Sequence, residues 1–388
     1  MKSIFFCITF LAVASGVCAQ TADTTYWHNV ERTLRYHPDG EDFVIVNGTR
    51  KFTRALYGTN TPFRVETSDV PEFALFMPRM GGNLQFGLRS SHTKKEIHLN
   101  DAEYIEARYR PGSRIHTIQD PILEGGKIIL TALAMGEADG FILRAEFIDV
   151  PDDVRLMWAF GGASDNRLDR NGDMNADPEN VFYLLPEYCA GNRYTTGGGR
   201  FSLQYGDNKE LRGIFPADVF VSDARRITQG KDFDPVVYPM ITGAVQGNGI
   251  RYFALFNPKT APELRYGDLA GEFERAGQSS RLIAERINIH TPDPFINTVG
   301  GALAMAGDAI WENPVYQHGA IGWRVQLPGW RGAYTGDFLG WHDRARIHFD
   351  AYGASQFTNG PTLPVIMDTT LNLARSAKVY GTPMYSSG

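Results

Sequence analysis

The stretch KIILTALAMGEADGFILRAEF, residues 127–147, decides the fold class of this chain. In residues 127–132 and again in residues 141–147, the polar residues stand an even number of positions apart among apolar ones, at Lys127 and Thr131 and at Arg144 and Glu146. Because successive side chains of a strand point to opposite faces, this spacing is typical of half-buried β-strands. The stretch therefore predicts two strands separated by a short connection.

Runs of the same kind extend this prediction from about residue 40 to residue 265, with Gly-rich breaks between them. They are residues 43–46, 72–76, 83–88, 103–109, 201–205, 219–221 and 252–256. The pair Asn47-Gly48 follows the first run directly and predicts a hairpin turn. Helical periodicity is weak throughout, so the region is predicted to form a large antiparallel β-sandwich of two sheets.

The pattern becomes helical near residue 290. Asp293-Pro294 supplies a capping acceptor and a Pro at the first helical position. Apolar residues then recur at steps of three and four, which predicts one buried helix face. They are Ile296, Val299, Leu303, Ala306 and Ile310. A Trp- and Gly-rich loop is expected over 311–336, a second helix over 338–355, and a third near Pro364.

Composition restricts the class of protein. With 43% hydrophobic and 21% charged residues among 388, the chain resembles an ordinary globular protein. The formal net charge of −6 argues against a strongly basic nucleic-acid-binding protein and gives no sign of a polybasic membrane surface. Beyond the amino terminus, no stretch approaches the ~18 apolar residues of a membrane helix. We therefore expect neither nucleic acid nor a transmembrane segment.

The amino terminus predicts export. Lys2 precedes an almost unbroken apolar run at residues 4–17, and Val17-Cys18-Ala19 fits cleavage before Gln20. A secreted or periplasmic location follows. A core helix or a lipid anchor at Cys18 is the alternative, although Val17 stands where a lipoprotein signal has a small residue. Removal of the leader would leave Cys189 as the single cysteine, so no internal disulfide is expected.

Four domain segments are predicted. These are a signal peptide (1–19), a β-sandwich (20–265), a linker (266–292) and the start of a helical domain (293–388). Three helices cannot close a barrel and would leave an apolar face uncovered. Either the helical piece packs on the sandwich, or the chain is the front portion of a longer protein.

Four of the six Trp residues lie between positions 311 and 341, together with carboxylates and basic groups. Flat rings cover the apolar faces of pyranoses while charged groups bond their hydroxyls, so the cluster is typical of a sugar site. The candidate carboxylates are Asp337, Asp343 and Glu312, and the candidate substrate-binding residues are Trp311, Trp323, Trp330, Arg331, Tyr334, Trp341 and His342, with His318 nearby. The alternative is that the Trp residues are core anchors and the charges cap helices or form salt bridges.

A second constellation lies in residues 169–177, where oxygen-bearing side chains occupy every second position. They are Asp169, Asn171, Asp173, Asn175 and Asp177. This spacing suits Ca²⁺, although Met174 stands where an EF-hand loop has Gly and Asn180 where it has Glu. These are also ordinary turn residues, and the loop could instead reach the substrate. No cofactor other than calcium is suggested, because GxSxG, HExxH, CxxC and P-loop patterns do not occur.

Two longer motifs carry a family resemblance. Residues 322–346, GWRVQLPGWRGAYTGDFLGWHDRAR, resemble the early catalytic-domain loop of six-hairpin glycosidases. Residues 176–189, ADPENVFYLLPEYC, resemble the secreted bacterial family described as domain of unknown function 4450. The resemblance covers most of the mature chain. It implies a β-sandwich followed by an (α/α)₆ barrel that cleaves sugars at its mouth, and Gly336-Asp337-Phe338 matches an element that contacts substrate in related families.

The sequence departs from that pattern because an (α/α)₆ barrel needs twelve helices, and only about three fit after residue 290. We therefore expect an incomplete barrel, with a missing half as its partner. The leading hypothesis is the N-terminal portion of a secreted glycoside hydrolase acting on plant or host polysaccharide by carboxylate acid/base hydrolysis, inactive as this fragment. The alternative is a non-catalytic glycan-binding or structural β-sandwich protein.

Overall fold

The structure is a computed structural model that describes residues 36–49, 54–77, 79–166, 179–261, 263–318 and 329–354. The predicted leader, the predicted calcium loop and the third predicted helix lie outside these residues, as does Trp323. The expectations attached to them therefore stay predictions.

Strands dominate the first two thirds of the described chain, as the alternation predicts. In chain order they are β1 His37–Asp39, β2 Asp42–Val46, β3 Arg54–Leu56, β4 Arg64–Thr67, β5 Phe73–Phe76, β6 Met80–Ser90, β7 Glu96–His98, β8 Tyr104–Arg110, β9 Ser113–Gln119, β10 Lys127–Ala134, β11 Gly140–Ile148, β12 Val154–Ala163, β13 Arg193–Gly197, β14 Arg200–Tyr205, β15 Lys209–Ile214, β16 Phe220–Asp223, β17 Pro239–Gln246, β18 Gly249–Phe256, β19 Trp311–Glu312 and β20 Val315–Tyr316.

Within the described residues these strands form two large antiparallel sheets and one short hairpin. The ten-stranded sheet has the order β1-β2-β8-β9-β10-β11-β18-β15-β14-β13. The eight-stranded sheet has the order β16-β17-β12-β6-β5-β4-β3, with β7 also paired to β6. Strands β19 and β20 pair with each other. The prediction of a mainly β, antiparallel fold is confirmed.

The two large sheets pack face to face. Aromatic rings from opposite sheets meet in the core, with centroids 5.2 Å apart for Phe73 and Phe141 and 5.4 Å apart for Phe86 and Phe253. In β8, buried residues alternate with more exposed ones, so one face of the strand joins the core and the other meets solvent. Burial of this apolar face is the main force that stabilises a sandwich.

The predicted hairpin at Asn47-Gly48 is wrong. Strand β2 ends at Val46 as expected, but its partners are β1 and β8, and the next strand, β3, belongs to the other sheet. Asn47 adopts a positive φ of 49° and bonds across to β8, accepting the backbone N–H of Ile105 at 2.8 Å. The pair therefore ends one strand at a sheet-to-sheet crossover, where Asn tolerates the left-handed backbone.

Five helices complete the described chain. They are α1 Arg225–Gln229, α2 Leu269–Ala284, α3 Pro294–Ala309, α4 Gly329–Phe338 and α5 His342–Ala354. Helix α2 falls within residues 266–292, which were predicted as a linker, so helical structure begins earlier than the sequence indicated. It packs on the ten-stranded sheet through Leu269, Phe273 and Ala276. None of the described helices is long and apolar enough to cross a membrane.

The predicted start of α3 is confirmed, but its predicted buried face is not. Asp293 caps the helix, accepting the backbone N–H of Phe295 at 2.8 Å. Leu303, predicted to be buried, is 51% exposed, whereas Met305 is 3% exposed. Glycines allow this side of the helix to approach its neighbours closely: a Cβ added at Gly301 would lie 2.9 Å from the ring of Pro111.

The second predicted helix is confirmed over most of its length but begins later than predicted. Helix α5 runs from His342 to Ala354, and Phe338 ends the preceding helix, α4. Helix α4 occupies the end of the stretch predicted as loop. Gly340, at a φ of +75°, donates its N–H to the carbonyl of Asp337 at 3.1 Å and ends the first helix in the left-handed conformation that favours glycine.

Candidate functional site

A loop of the sandwich, residues 57–63 between β3 and β4, together with Arg64 at the start of β4, caps the carboxyl end of α3. The last carbonyls of a helix have no partner within it and need donors from elsewhere. Three side chains of this segment supply them. The bonds run from Tyr57 Oη to Met305 O at 2.7 Å, from Asn60 Nδ2 to Asp308 O at 3.0 Å and from Arg64 Nη2 to Ala309 O at 2.6 Å. This segment thereby fixes where α3 ends.

Arg64 adds a positive charge at this helix end. Its side chain is among the fully buried ones, and burial lowers the pKa of Arg64 to about 10. The guanidinium therefore stays charged at neutral pH. A cation is favourable at the carboxyl end of a helix, where the macrodipole is negative. Burial also raises the pKa of Tyr57, and the Asp308 carboxylate adds to that rise, so its hydroxyl remains a donor.

The last turn of α3 carries the buried carboxylate of Asp308, which binds Arg344 from α5. Arg344 Nη1 donates to Asp308 Oδ1 at 2.6 Å, and Asn60 Nδ2 contacts Asp308 Oδ2 at 3.3 Å. The Asp308 side chain is 5% exposed and that of Arg344 is 23% exposed. The β3–β4 loop, α3 and α5 thus meet at the Asp308–Arg344 ion pair.

Two predicted Trp residues meet at the same guanidinium. The Arg344 guanidinium lies 4.4 Å from the ring of Trp341 and 5.7 Å from the ring of Trp311. Arg286 covers Trp341 at 5.0 Å and donates to the carbonyl of Leu339 at 3.0 Å. Stacking of this kind stabilises both cation and ring, so Trp341 is held between two arginines.

Behind this group, α4 packs closely on Tyr316 and His348. Tyr316 donates its backbone N–H to His348 Nδ1 at 3.0 Å, and its ring lies 4.8 Å from that of Trp311. A Cβ at Gly336 would approach Tyr316 Oη to 2.6 Å, and one at Gly332 would collide with the His348 ring. Glycines therefore allow α4 to lie against this pair. Burial raises the pKa of Tyr316 to about 12, against the opposing effect of Arg344.

The opposite side of α4 carries an exposed row of side chains, named here the α4 stripe: Arg331, Tyr334, Asp337 and Phe338. Their spacing of three and four residues puts them on one helix face. Tyr334 is 65% exposed and Phe338 is 84% exposed. At the end of the stripe, Asp337 Oδ1 lies 2.7 Å from His342 Nδ1 at the start of α5. The stripe places a carboxylate and an imidazole beside two accessible rings.

The other predicted site residues occupy different environments. Glu312 and Trp311 are buried, at 7% and 6% exposed, so neither presents an open face to a ligand. Asp343 is exposed and contacts Arg346 at 3.2 Å, a spacing of three residues on α5. His318 is exposed. Asp337 lies beside another predicted site residue, His342.

If the charges cap helices, as the alternative interpretation has it, Asp337 is the cap candidate, because it directly precedes the predicted helix at 338. The structure places it near the carboxyl end of α4 instead, so its side chain does not cap a helix start. Only the backbone of Trp330 is described, at the beginning of the same helix. Arg331 and Tyr334, which the sequence predicts to bind substrate, both lie in the α4 stripe.

Asp308 and Arg64 were missed, and Arg344 was considered only as a salt-bridge partner. One signal could have revealed Asp308: a single carboxylate in the apolar, small-residue stretch GALAMAGDAI, residues 301–310. A charge in such a helix is rarely buried without a partner. For Arg64, the sequence carries no comparable signal, because its role depends on a contact with α3 more than 240 positions along the chain.

Metal binding has no candidate among the described residues, which contain no group of three or more His, Cys, Asp or Glu side chains placed to hold an ion. The predicted calcium loop with Asp169, Asn171, Asp173, Asn175 and Asp177 lies outside them. Calcium at that loop stays a prediction from the sequence.

Most of the sandwich sequence matches a known protein family. The profile of the family described as domain of unknown function 4450 (DUF4450) matches residues 77–277, slightly more than half of the chain. The chain belongs to this family. The matched range includes the 176–189 motif and ends before the 322–346 motif, so it supports the family resemblance from β6 to the first half of α2. No curated protein matches the chain.

A solved structure shares the fold of this DUF4450 protein. It is a bacterial glucoamylase complexed with acarbose, at a TM-score of 0.51 and 8% sequence identity. The match covers 80% of this chain and 53% of the glucoamylase chain, so the present chain spans about half of that protein's length. At this identity the likeness concerns the fold, which is glycosidase-like.

Proposed function

We propose that this chain is the β-sandwich and early helical portion of a secreted glycoside hydrolase of the six-hairpin class, which cleaves plant or host polysaccharide by carboxylate acid/base chemistry. The observation that carries the proposal is the α4 stripe, where Asp337, which contacts His342, shares a helix face with the accessible rings of Tyr334 and Phe338. Membership in DUF4450 and the fold shared with a glucoamylase support the class.

The proposed roles follow from the chemistry of each side chain. Tyr334 and Phe338 cover the apolar faces of sugar rings. Asp337 transfers a proton to or from the glycosidic oxygen or the attacking water. His342 faces Asp337 with Nδ1, which leaves Nε2 for a sugar hydroxyl. Arg344 takes no part in this chemistry, but it holds the first turn of α5 against Asp308 and so positions His342.

Hydrolysis requires a second carboxyl group. Asp343 is the proposed partner within the described residues, because it is exposed on the first turn of α5. A carboxylate from a further helical region is the alternative, since this chain spans about half the length of the glucoamylase it matches. Glu312 is a weaker partner because it is buried.

The test measures reducing-sugar release by a longer DUF4450 protein carrying the Gly-Asp-aromatic element. Asn at the position of Asp337 should lower turnover at least ~100-fold, the range of acid/base groups. Asp350, an exposed aspartate of α5, offers a matched control, and Asn at its position should leave turnover within about twofold of the parent. Unchanged turnover in the first variant would remove Asp337 from the mechanism.

A non-catalytic glycan-binding protein is the second candidate, and one observation favours it. The Asp337 and Asp343 side chains are 66% and 88% exposed, whereas the acid of a glycosidase commonly lies in a partly dehydrated cleft. Pull-down of the chain from Gln20 on insoluble polysaccharides separates the candidates. Retention of the chain, with no sugar release by the longer protein or its Asn variant, would support binding alone.

A further inference from the structure

A groove of about 980 Å³ lies between the outer face of the ten-stranded sheet and helix α2. None of the predicted site residues lines it, and it is separate from the α4 stripe. Its volume falls at the upper end of the ~300–1,000 Å³ usual for ligand sites. The groove is therefore large enough for several sugar units.

The floor of the groove comes from strands β9, β10 and β11. Thr131 of β10 stands opposite Ile115 of β9 and Arg144 of β11, and Ile129 stands opposite Glu146. All five are half-buried and point away from the sandwich core. Three strands thus present a flat surface on which aliphatic side chains alternate with polar ones.

The charges on this floor are already paired. Arg144 Nη2 donates to Glu146 Oε2 at 2.5 Å, and the guanidinium lies 5.7 Å from the ring of Phe273 on α2. These contacts fix the donors and acceptors in place. Arg144 Nε is buried and has no hydrogen-bond partner among the described residues. The pair can bond hydroxyls while offering no net charge that would attract an ion.

Helix α2 forms the opposite wall and is pinned to the sheet. Phe273 and Ala276 pack with Leu133 in a buried cluster. At the hairpin between β8 and β9, a Cβ added at Gly112 would lie 2.5 Å from Ser280 Cβ, so the wall is in close contact there. The polar side chain of Gln278 lines the groove between these anchors. The walls are thus part of the fold itself.

We propose that this groove binds a neutral oligosaccharide, as a second carbohydrate site distinct from the α4 stripe. A sugar has apolar ring faces and hydroxyl edges, which match an aliphatic floor beside a paired guanidinium and carboxylate. Charged ligands are disfavoured because the lining mixes both signs, with Arg110, Arg144 and Arg281 beside Glu41, Glu146, Glu274 and Glu285. The proposal shares the substrate class of the proposed function but does not require catalysis.

The experiment titrates the chain from Gln20 with neutral malto-, cello- and xylo-oligosaccharides of four to seven units, and with oligogalacturonate as the anionic probe, by isothermal calorimetry. A neutral oligosaccharide should bind, and Thr131→Trp, which fills the floor, should weaken it at least tenfold. Gln278→Trp fills the groove from α2 and should also weaken binding at least tenfold. It serves as the test if Thr131→Trp disturbs folding.

Two controls separate this site from the other. Arg108→Met breaks the Arg108–Glu106 pair on β8, which has the same two-residue spacing as the Arg144–Glu146 pair but lies outside the groove. This variant should change affinity less than twofold. Tyr334→Ala alters the α4 stripe and should leave groove binding intact. Binding that survives both Trp variants but is lost in Tyr334→Ala would overturn the groove and leave the proposed function standing. Binding of the anionic probe alone, or of none, would also overturn it.

Discussion

Replacing Arg344 by alanine should destabilise the protein by about 3 kcal/mol. The change removes the 2.6 Å bond to Asp308 and leaves that 5%-exposed carboxylate with Asn60. Breaking a buried ion pair costs ~3–5 kcal/mol of unfolding free energy. Because Arg344 is 23% exposed, water compensates in part, and we expect a loss of ~2–3 kcal/mol from the ion pair. Loss of stacking on Trp341 adds ~0.5–1 kcal/mol.

The measurement is urea unfolding followed by Trp fluorescence, with Arg346→Ala as the matched control. Arg346 lies two positions along the same helix, is 68% exposed and pairs with an 88%-exposed Asp343 at 3.2 Å, so its loss should cost only ~0–0.5 kcal/mol. A double-mutant cycle with Asp308→Ala should show a coupling above ~1 kcal/mol. If Arg344→Ala costs no more than Arg346→Ala, the ion pair does not hold α5 against α3.

Three further outcomes are expected. Met305→Ala should cost ~2–4 kcal/mol and Leu303→Ala less than ~1 kcal/mol, because they are 3% and 51% exposed; equal losses in urea unfolding would contradict the described orientation of α3. Burial, aided by Arg114, lowers the pKa of His116 to about 3. As the pH falls, the unfolded chain therefore binds a proton at His116 at a higher pH than the folded chain does. Stability should fall by ~1.4 kcal/mol per pH unit from about pH 6.5 towards pH 3, and His116→Gln should lack that slope in pH-dependent urea titrations. Burial raises the pKa of Cys189 to about 12, so little reactive thiolate is present at pH 8. In the chain from Gln20, a thiol reagent should react at least ~100-fold more slowly with the native form than with the urea-unfolded form. Similar rates would place the thiol at the surface.

The exposed apolar residues of the helical region include Leu282, Leu303, Phe338 and Phe349. They lie on α2, α3, α4 and α5. The broad uncovered apolar face expected from the sequence stays a prediction, because residues 355–388 lie outside the described part of the chain. The sequence did not identify these exposed residues, since Leu303 was expected inside.

Local signals were sufficient where the cause of the structure is local. Period-two alternation placed β10 and β11 because a strand turns alternate side chains to the core within one run of residues. Asp293-Pro294 placed the start of α3 because capping involves atoms only two or three residues apart. The 176–189 motif indicated the family that the 77–277 match shows.

Tertiary contacts decided what local signals could not. Gly300 and Gly301 let α3 approach its neighbours closely, so the helix packs through the side that carries these glycines and Met305, and Leu303 faces solvent. Likewise, the pairing of Asp308 with Arg344 depends on where two helices meet. A chain's periodicity fixes which residues share a face, whereas packing density between distant segments decides which face is buried.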